Sequence, residues 1–267
     1  MTGLDEAKEQ TAAANRILAQ TGLAAGVLAS LGHAAMRLPG DPERFVTKGR
    51  GYAVDALAVM RAEDMVVCAL DATLVEAPPG VSQVSEVMLH ACILRARPDA
   101  QAVVHVHPRF ATLLSVLGGG VAPMCNEGNV LVRDPLPVYP HPRLIVSEAD
   151  GVAVAETLGG GKAALLRGHG AVTAGASLEE AVVSMLELEE QARMNWWARC
   201  AAGPDHPSLS PEEVDDWVES SRSRSRQPHF QAPEAPPEGL GAAGAQAQSG
   251  LWAYLQQLAA LPDEPPS

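Results

Sequence analysis

Aromatic residues and positive charge are both scarce in this chain of 267 residues. Phe, Trp and Tyr make up 4% of it, and 19 Lys and Arg stand against 32 Asp and Glu, which gives a net charge of −13. Proteins bind nucleic acid by neutralising phosphates with a basic surface. This acidic balance therefore argues against nucleic acid as a partner.

Long apolar runs and clustered cysteines are also missing. No stretch of about 18 apolar residues occurs, so no membrane-spanning helix and no membrane partner are expected. Residues 1–20 lack the basic and apolar regions of a signal peptide. The cysteines are widely spaced without a Cys-x-x-Cys pair, which is typical of reduced thiols in a cytoplasmic protein; they are Cys68, Cys92, Cys125 and Cys200.

Two histidines stand two positions apart in an apolar stretch, residues 103–107, that favours a β-strand. Side chains alternate between the faces of a strand, so His105 and His107 should point the same way. Two imidazoles on one face make half of a metal site, although a single histidine in such a strand is more often a core or surface residue. Two further candidate ligands are Glu86 and His169, the latter between glycines that permit close approach of a ligand.

The order and spacing of these residues resemble the class II aldolase/adducin family over roughly residues 10–200. The features that carry the resemblance are Glu86, His105-x-His107, Gly-His169-Gly, the Gly32-His33 turn and Arg97-Pro98-Asp99. The resemblance implies the α/β class, with one α/β/α domain built on a central, mainly antiparallel sheet flanked by helices, plus an extended C-terminal tail. It also implies a homo-oligomer, commonly a tetramer.

The composition changes after residue 200, so we expect a metal-dependent domain over residues 1–200 and an acidic, Pro/Gly-rich tail over 201–267. The tail carries ten acidic and three basic side chains. Its Ser/Arg stretch, residues 221–226, is interpreted as a solvated linker and not as an RNA-binding segment. Residues 231–249 are a second linker. Residues 251–261 should form a short helix that docks on its own core or on a neighbouring subunit.

The remaining pattern alternates helices and strands. We expect Ser82 to start a helix that carries Glu86 in its first turns, and Gly49-Arg50-Gly51 to be a loop with open amide groups. The other expected helices are 4–21, 109–117, one that Ser147 caps and Gly159 ends, and 177–200. The other expected strands are 34–38 and 44–48 in a hairpin, 64–70, 163–166 and 171–173.

The family resemblance implies one divalent metal ion held by His105, His107 and His169. Imidazole suits both Zn²⁺ and Fe²⁺, with Mn²⁺ as a further option. Glu86 is the candidate catalytic acid/base and an alternative fourth ligand. A third interpretation of Glu86 is structural, as a first-turn carboxylate favoured by the helix dipole.

The sugar-phosphate aldolases of this family hold phosphate with an asparagine, a Thr-Gly loop and two serines before the glutamate. The corresponding loop here carries two cations, Lys48 and Arg50. They suit a carboxylate or a phosphate equally well, or serve only as solvated loop charges. Arg109 is the next candidate anchor. The aldolases also use a tyrosine near the segment that is 123–128 here, and none stands there. The substrate-binding candidates are His33, Lys48, Gly49, Arg50, Gly51 and Ser85.

Together these features predict a divalent-metal-dependent carbon–carbon lyase that works through a metal-stabilised enolate. It is best described as a decarboxylase of a hydroxy or oxo acid, with an aromatic acid as one option. One alternative is a non-heme iron oxygenase for oxidative decarboxylation of a prenylated hydroxyphenylpyruvate or mandelate-type acid in antibiotic biosynthesis. Another is a sugar-phosphate aldolase or epimerase. A non-catalytic adducin-like scaffold is least favoured, because all four ligand candidates are present.

Overall fold

A computed structural model describes residues 3–223, 227, 229 and 249–260. Helices and strands alternate along this part of the chain. The helices are α1 (Gly3–Gln20), α2 (Val87–Ala96), α3 (Arg109–Leu117), α4 (Glu148–Leu158), α5 (Leu178–Ala202), α6 (Pro211–Ser223) and α7 (Gly250–Leu258). The strands are β1 (His33–Leu38), β2 (Asp41–Arg50), β3 (Met65–Ala69), β4 (Leu74–Glu76), β5 (Ser82–Gln83), β6 (Ala102–Val106), β7 (Val138–Tyr139), β8 (Ala163–Leu166) and β9 (Gly170–Gly175).

One nine-stranded sheet organises these elements in the order β4-β3-β2-β1-β6-β9-β8-β7, with β5 paired to the end of β2. The strand pairs are antiparallel except for the parallel pair β7–β8. The central strand β6 is buried along its whole length. A strand covered on both faces does not alternate between apolar and polar residues, and β6 is apolar at every position except His105. The predicted α/β class with a central, mainly antiparallel sheet is confirmed.

Helices cover both faces of the sheet, with a separate hydrophobic core on each face and a smaller third core between α1, β2 and β3. Val104 of β6 packs with Ile17 of α1 and Met185 of α5 on one face. Its neighbour Val103 points the other way, into a core that contains Ile93 of α2. This alternation along one strand produces the α/β/α layers.

Two local expectations are wrong at the edge of the sheet. Ser82 does not start a helix, because Ser82 and Gln83 pair with Arg50 and Gly49 as a short strand. Helix α2 therefore begins only at Val87, with Glu86 at its N-cap. The same pairing places Gly49 and Arg50 in β2 instead of a loop, and the chain leaves the strand at Gly51, whose φ is 116°.

The C-terminal region contains a helix that the sequence analysis missed. Helix α6 occupies Pro211–Ser223, so it includes the first part of the stretch interpreted as a linker. Ser210 and Glu213 form a reciprocal capping box at its start, with proline at the first helical position. The rest of that stretch, residues 224–226, and all of the second expected linker except Ser249 lie outside the described residues.

Helix α7 forms where a terminal helix was expected, and it packs against α1 of the same chain. Trp252 and Leu255 are buried in the core that contains Ile17. Arg16 of α1 donates from Nε to the Ala259 carbonyl oxygen at 2.8 Å, which also satisfies a C-terminal carbonyl of α7. Within the part of the chain that the structure describes, no helix has the length and hydrophobicity needed to cross a bilayer.

Candidate metal centre

The four predicted ligands meet at one point beside the end of β6. Glu86 lies at the N-cap of α2, His105 in β6, His107 directly after β6, and His169 in the turn between β8 and β9. One ligand atom from each of the four side chains lies within 4.8 Å of the others. Glu86, His105 and His169 are buried, whereas His107 is half-buried.

Strand pairing explains why residues so distant in sequence converge. Antiparallel pairing of β6 with β9 sets Val106 opposite Ala171, so the turn before β9 lies beside the end of β6. Gly170 makes this approach sterically feasible, because a Cβ there would lie 2.4 Å from the Val106 carbonyl oxygen. Gly168 supplies the turn with a φ of 66°. Both glycines that flank His169 are therefore required by the backbone.

The nitrogen atoms of the cluster have the spacing of ligands around one ion. His105 Nδ1 lies 2.9 Å from the Ala171 carbonyl oxygen, so Nδ1 carries the proton and Nε2 keeps a bare lone pair. His105 Nε2 lies 3.2 Å from His107 Nε2. Zn–N bonds of about 2.0–2.1 Å at tetrahedral angles place two nitrogens about 3.3 Å apart. The residues present therefore fit a divalent ion.

His169 supplies a second observation that fits a metal ion. Both of its ring nitrogens are buried, and neither has a hydrogen-bond partner among the described residues. Leaving a buried polar group unpaired costs about 1–3 kcal/mol. An ion bound at Nε2 would remove part of that cost, since it would take up the lone pair that faces the cluster.

Glu86 closes the cluster from the side of α2. Its Oε2 lies 3.5 Å from His105 Nε2, and its Oε1 lies 3.4 Å from His169 Nε2. Oε1 also accepts a hydrogen bond of 2.8 Å from the Ile145 backbone N–H. Burial raises the pKa of Glu86, but the two adjoining imidazoles and the hydrogen bond from the Ile145 N–H outweigh it and hold that pKa well below its usual range. The side chain is therefore an ionised carboxylate, suited either to bind a cation or to accept a proton.

The electrostatics of the cluster favour a cation over a protonated histidine. Burial, followed by the nearby His105 and His169, lowers the pKa of His107 to about 3. A neutral imidazole is the form that binds metals. One carboxylate cannot neutralise a divalent ion, so the loaded site would keep positive charge toward an incoming anion.

A second pair of histidines lies beside this cluster. His33 stands opposite His105 in the β1–β6 pairing, and the two ring centroids are 5.4 Å apart. His33 Nδ1 lies 2.5 Å from Nε2 of His90, which is fully buried on α2. Burial, followed by the charge of His90, lowers the pKa of His33 well below its usual value. The sequence analysis assigned His90 no role, although it lies four residues after Glu86 and hence on the same helix face.

The predicted anion-binding residues do not share one environment. Lys48 is 1% exposed and pairs with Asp55, so its charge is already neutralised. Gly49 is packed against Tyr52, and a Cβ there would lie 2.3 Å from the tyrosine oxygen. Only the Arg50 side chain combines a charge with solvent access, at 42% exposure.

Arg50 is linked to the segment that carries Glu86 through a hydrogen bond to Ser85. Its Nη1 donates to Ser85 Oγ at 2.8 Å, one residue before Glu86. Its Nε lies 3.3 Å from Asp55, which therefore bridges Arg50 and Lys48. The sequence analysis did not single out Asp55, since one acidic residue in a loop carries no recognisable pattern. The structure thus places His33 beside His105, and links Arg50 to Ser85, the residue before Glu86.

An α/β/α fold that brings three histidines and a buried carboxylate together beside the end of its central strand is the architecture of a metal-dependent enzyme. The family model described as Class II Aldolase and Adducin N-terminal domain matches residues 9–196. The chain belongs to the class II aldolase and adducin family, as the sequence resemblance indicated.

Three relatives place the chain within the family. It is 32% identical over 219 residues to a 3,4-dihydroxyphthalate decarboxylase of Arthrobacter keyseri, covering 79% of this chain and 86% of the relative. It is 32% identical over 117 residues to a 4-hydroxy-3-prenylphenylpyruvate oxygenase/4-hydroxy-3-prenylbenzoate synthase of Streptomyces roseochromogenus, covering 44% and 42%. The crystal structure of an aldolase II superfamily protein from Pseudomonas syringae superimposes with a TM-score of 0.72 at 23% identity, covering 85% and 88%. The protein is an enzyme of the lyase class.

Proposed function

We propose that the protein is a divalent-metal-dependent decarboxylase of a hydroxylated aromatic carboxylic acid. The observation that carries the proposal is the buried cluster of Glu86, His105, His107 and His169, whose donor atoms fit one ion. The likeness to 3,4-dihydroxyphthalate decarboxylases over most of the chain supports the substrate class. The three histidines would hold Zn²⁺ or Fe²⁺, with Mn²⁺ as a further option.

Decarboxylation of an ortho-hydroxy acid needs a place for electrons and a source of one proton. The bond from the ring carbon to the carboxyl group breaks, CO₂ leaves, and the electron pair stays on the ring. A bound divalent ion supplies Lewis-acid stabilisation of negative charge on substrate oxygens. Glu86, held as a carboxylate, can take the proton of the substrate hydroxyl group and return a proton to the ring carbon.

The substrate carboxylate that is not lost requires a separate binding group. Arg50 is suited to this role because its guanidinium is partly exposed and is positioned by Ser85 and Asp55. A planar fork of donors matches a carboxylate in two parallel hydrogen bonds. His33, on β1 between the strand of Arg50 and the strand of His105, is proposed to contact a substrate oxygen. Lys48, Gly49 and Gly51 would shape this part of the site through the backbone.

The test is decarboxylation of 3,4-dihydroxyphthalate under nitrogen by protein stripped of metal and reloaded separately with Zn²⁺, Fe²⁺ or Mn²⁺. We expect one CO₂ and one 3,4-dihydroxybenzoate per substrate consumed with at least one of the metals. Protein that binds a full equivalent of metal and releases no CO₂ from this acid would contradict the proposal. Light scattering of the same preparation tests the predicted homotetramer.

An oxygen-dependent decarboxylation is the second candidate, and one observation favours it. The prenylphenylpyruvate oxygenase is as similar per residue as the decarboxylases, although over less than half of the chain. Imidazole ligands accommodate iron as well as zinc. Iron-loaded protein given 4-hydroxy-3-prenylphenylpyruvate should consume oxygen in air if this candidate is correct. Cleavage of L-fuculose 1-phosphate by the same protein would indicate the aldolase alternative.

A further inference from the structure

The contact between His33 and His90 is a hydrogen bond between two buried imidazoles. His33 is 4% exposed and His90 is fully buried. His33 Nδ1 and His90 Nε2 lie 2.5 Å apart, so one proton lies between them. Which ring owns that proton determines what His33 offers at its other nitrogen.

The surroundings of His90 decide the ownership. Its remaining nitrogen, Nδ1, is buried with no hydrogen-bond partner among the described residues. Each neutral imidazole carries one N–H and one lone pair. A buried lone pair without a partner is tolerated more readily than a buried N–H without one. His90 therefore keeps its proton on Nε2 and donates it to His33.

This assignment fixes the state of His33. Since its Nδ1 accepts from His90, its own proton must stand on Nε2. His33 Nε2 is not sealed from solvent, in contrast to His90 Nδ1. No described residue forms a hydrogen bond with it. The His33 ring lies against the ring of the metal ligand His105. His33 thus presents an N–H donor beside the metal ligands.

We propose that His90 is a positioning residue that holds His33 in the Nε2–H tautomer, so that His33 donates a hydrogen bond to an oxygen of the substrate. The substrate class rests on the proposed function, whereas the tautomer rests only on the contacts of the two rings. A substrate with a phenolate or carboxylate oxygen next to the metal would accept this bond. An isosteric group without an acceptor at that position would not.

The tautomer is read directly from ¹⁵N solid-state spectra of zinc-loaded protein labelled at its eight histidines. The signals of His33 are assigned from their loss in the variant His33→Gln. We expect a protonated Nε2 and a bare Nδ1 for His33 in the wild-type protein. A protonated Nδ1 would overturn the proposal without any further variant.

Two variants of His90 separate positioning from packing. His90→Leu keeps volume but has no donor, whereas His90→Gln can still donate to His33 Nδ1. We expect His90→Leu to mix the His33 tautomers and to weaken binding of 3,4-dihydroxybenzoate about three- to tenfold, the range of one neutral hydrogen bond. His90→Gln should restore both, and metal content should stay at the wild-type level in each variant.

The outcomes distinguish this proposal from the decarboxylase assignment. An unchanged His33 tautomer in His90→Leu, or unchanged binding of 3,4-dihydroxybenzoate, would overturn the positioning role even if the wild-type protein decarboxylates. Wild-type protein that neither binds 3,4-dihydroxybenzoate nor releases CO₂ from 3,4-dihydroxyphthalate would refute the proposed function. In that case the spectra would still decide which ring holds the proton.

Discussion

His105 Nδ1 donates a hydrogen bond of 2.9 Å to the Ala171 carbonyl oxygen. This bond to the backbone of β9 orients the imidazole of His105, a candidate metal ligand. The same strand follows directly on the turn that carries His169. A ligand oriented by a main-chain group does not depend on a further side chain for its tautomer. The site is therefore organised before an ion binds, and removal of a single ligand should change metal binding more than folding.

His107→Ala is the first test of that expectation. His107 is half-buried after the end of β6, so its loss should leave the strand pairs intact. We expect metal affinity to fall by more than about 100-fold, beyond the effect of losing only a hydrogen-bond partner of a ligand. Metal content measured by mass spectrometry after dialysis checks this. The control is His206→Ala, a half-buried histidine outside the cluster, and a full equivalent retained by His107→Ala would refute the assignment.

Glu86→Gln separates proton transfer from metal binding. Glutamine keeps an oxygen that can accept from the Ile145 N–H, so the start of α2 should be preserved. We expect most of the metal to remain and turnover to fall about 10²–10⁴-fold, the contribution of a general acid or base. The matched control is Glu148→Gln, which removes an exposed carboxylate paired with Arg95. Near-normal turnover in Glu86→Gln would show that the residue is structural.

The convergence of the candidate ligands was predictable in part, because strand geometry relates two of the three histidines. Alternation puts His105 and His107 on one side of β6 whatever the rest of the fold does. The glycines around His169 were expected to permit close approach of a ligand, and in the structure Gly170 permits close approach of the β6 backbone. By contrast, Ala171 and Ile145 act through backbone atoms, and a backbone carbonyl or N–H leaves no mark on residue type. Sequence therefore indicates which side chains meet and not what orients them.

The wrong expectations arise from competition between local signals and pairing. Ser82 precedes a helix and has the residue type of a cap, but its backbone pairs with Arg50 and extends the sheet. The sequence also contains no sign that Lys48 is buried, where a lysine needs a charged partner, here Asp55. The start of α6 had a readable capping box at Ser210 that the acidic composition of the tail obscured.

Arg50→Ala tests the anion anchor. An anchor away from the reacting bond contributes equally to ground and transition states, so KM should rise while kcat changes little. A charge-assisted hydrogen bond is worth about 1.5–3 kcal/mol, which corresponds to a loss of about ten- to a hundredfold in kcat/KM. Arg50→Lys should restore little, because a point charge cannot reproduce the planar fork.

The control for this anchor is Arg44→Ala on the same strand, where the arginine is exposed and pairs with Asp41. Steady-state kinetics of the three variants should separate a specific contact from a change in overall charge. Normal kinetics in Arg50→Ala would place the anion elsewhere. Arg109, at the start of α3, would then be the next residue to replace.

Gly170→Ala tests whether the β6–β9 approach positions His169. The added Cβ would meet the Val106 carbonyl oxygen at 2.4 Å, and neither strand can yield without moving a ligand. We expect about 1–3 kcal/mol of lost stability, the usual cost of overpacking, together with weaker metal binding. Gly160→Ala is the control, since nothing lies within 4 Å of a Cβ there. Denaturant unfolding with and without metal measures both effects, and equal behaviour of the two variants would contradict the close-approach argument.

Trp252→Ala tests the docking of α7, whose nine residues are too few for a stable isolated helix. Trp252 is 4% exposed in the core against α1, whereas Tyr254 on the same helix is 58% exposed. Burial of a tryptophan is worth about 3–5 kcal/mol when it is truncated in a core. Because α7 can detach while the sheet stays folded, the lost energy should appear as local opening and not as global unfolding. We expect amide protection in α7 to fall about a hundredfold or more in Trp252→Ala and to stay near the wild-type level in Tyr254→Ala. Hydrogen–deuterium exchange measures this, and full protection of α7 in Trp252→Ala would mean that contacts such as Arg16 with Ala259 hold the helix without the tryptophan.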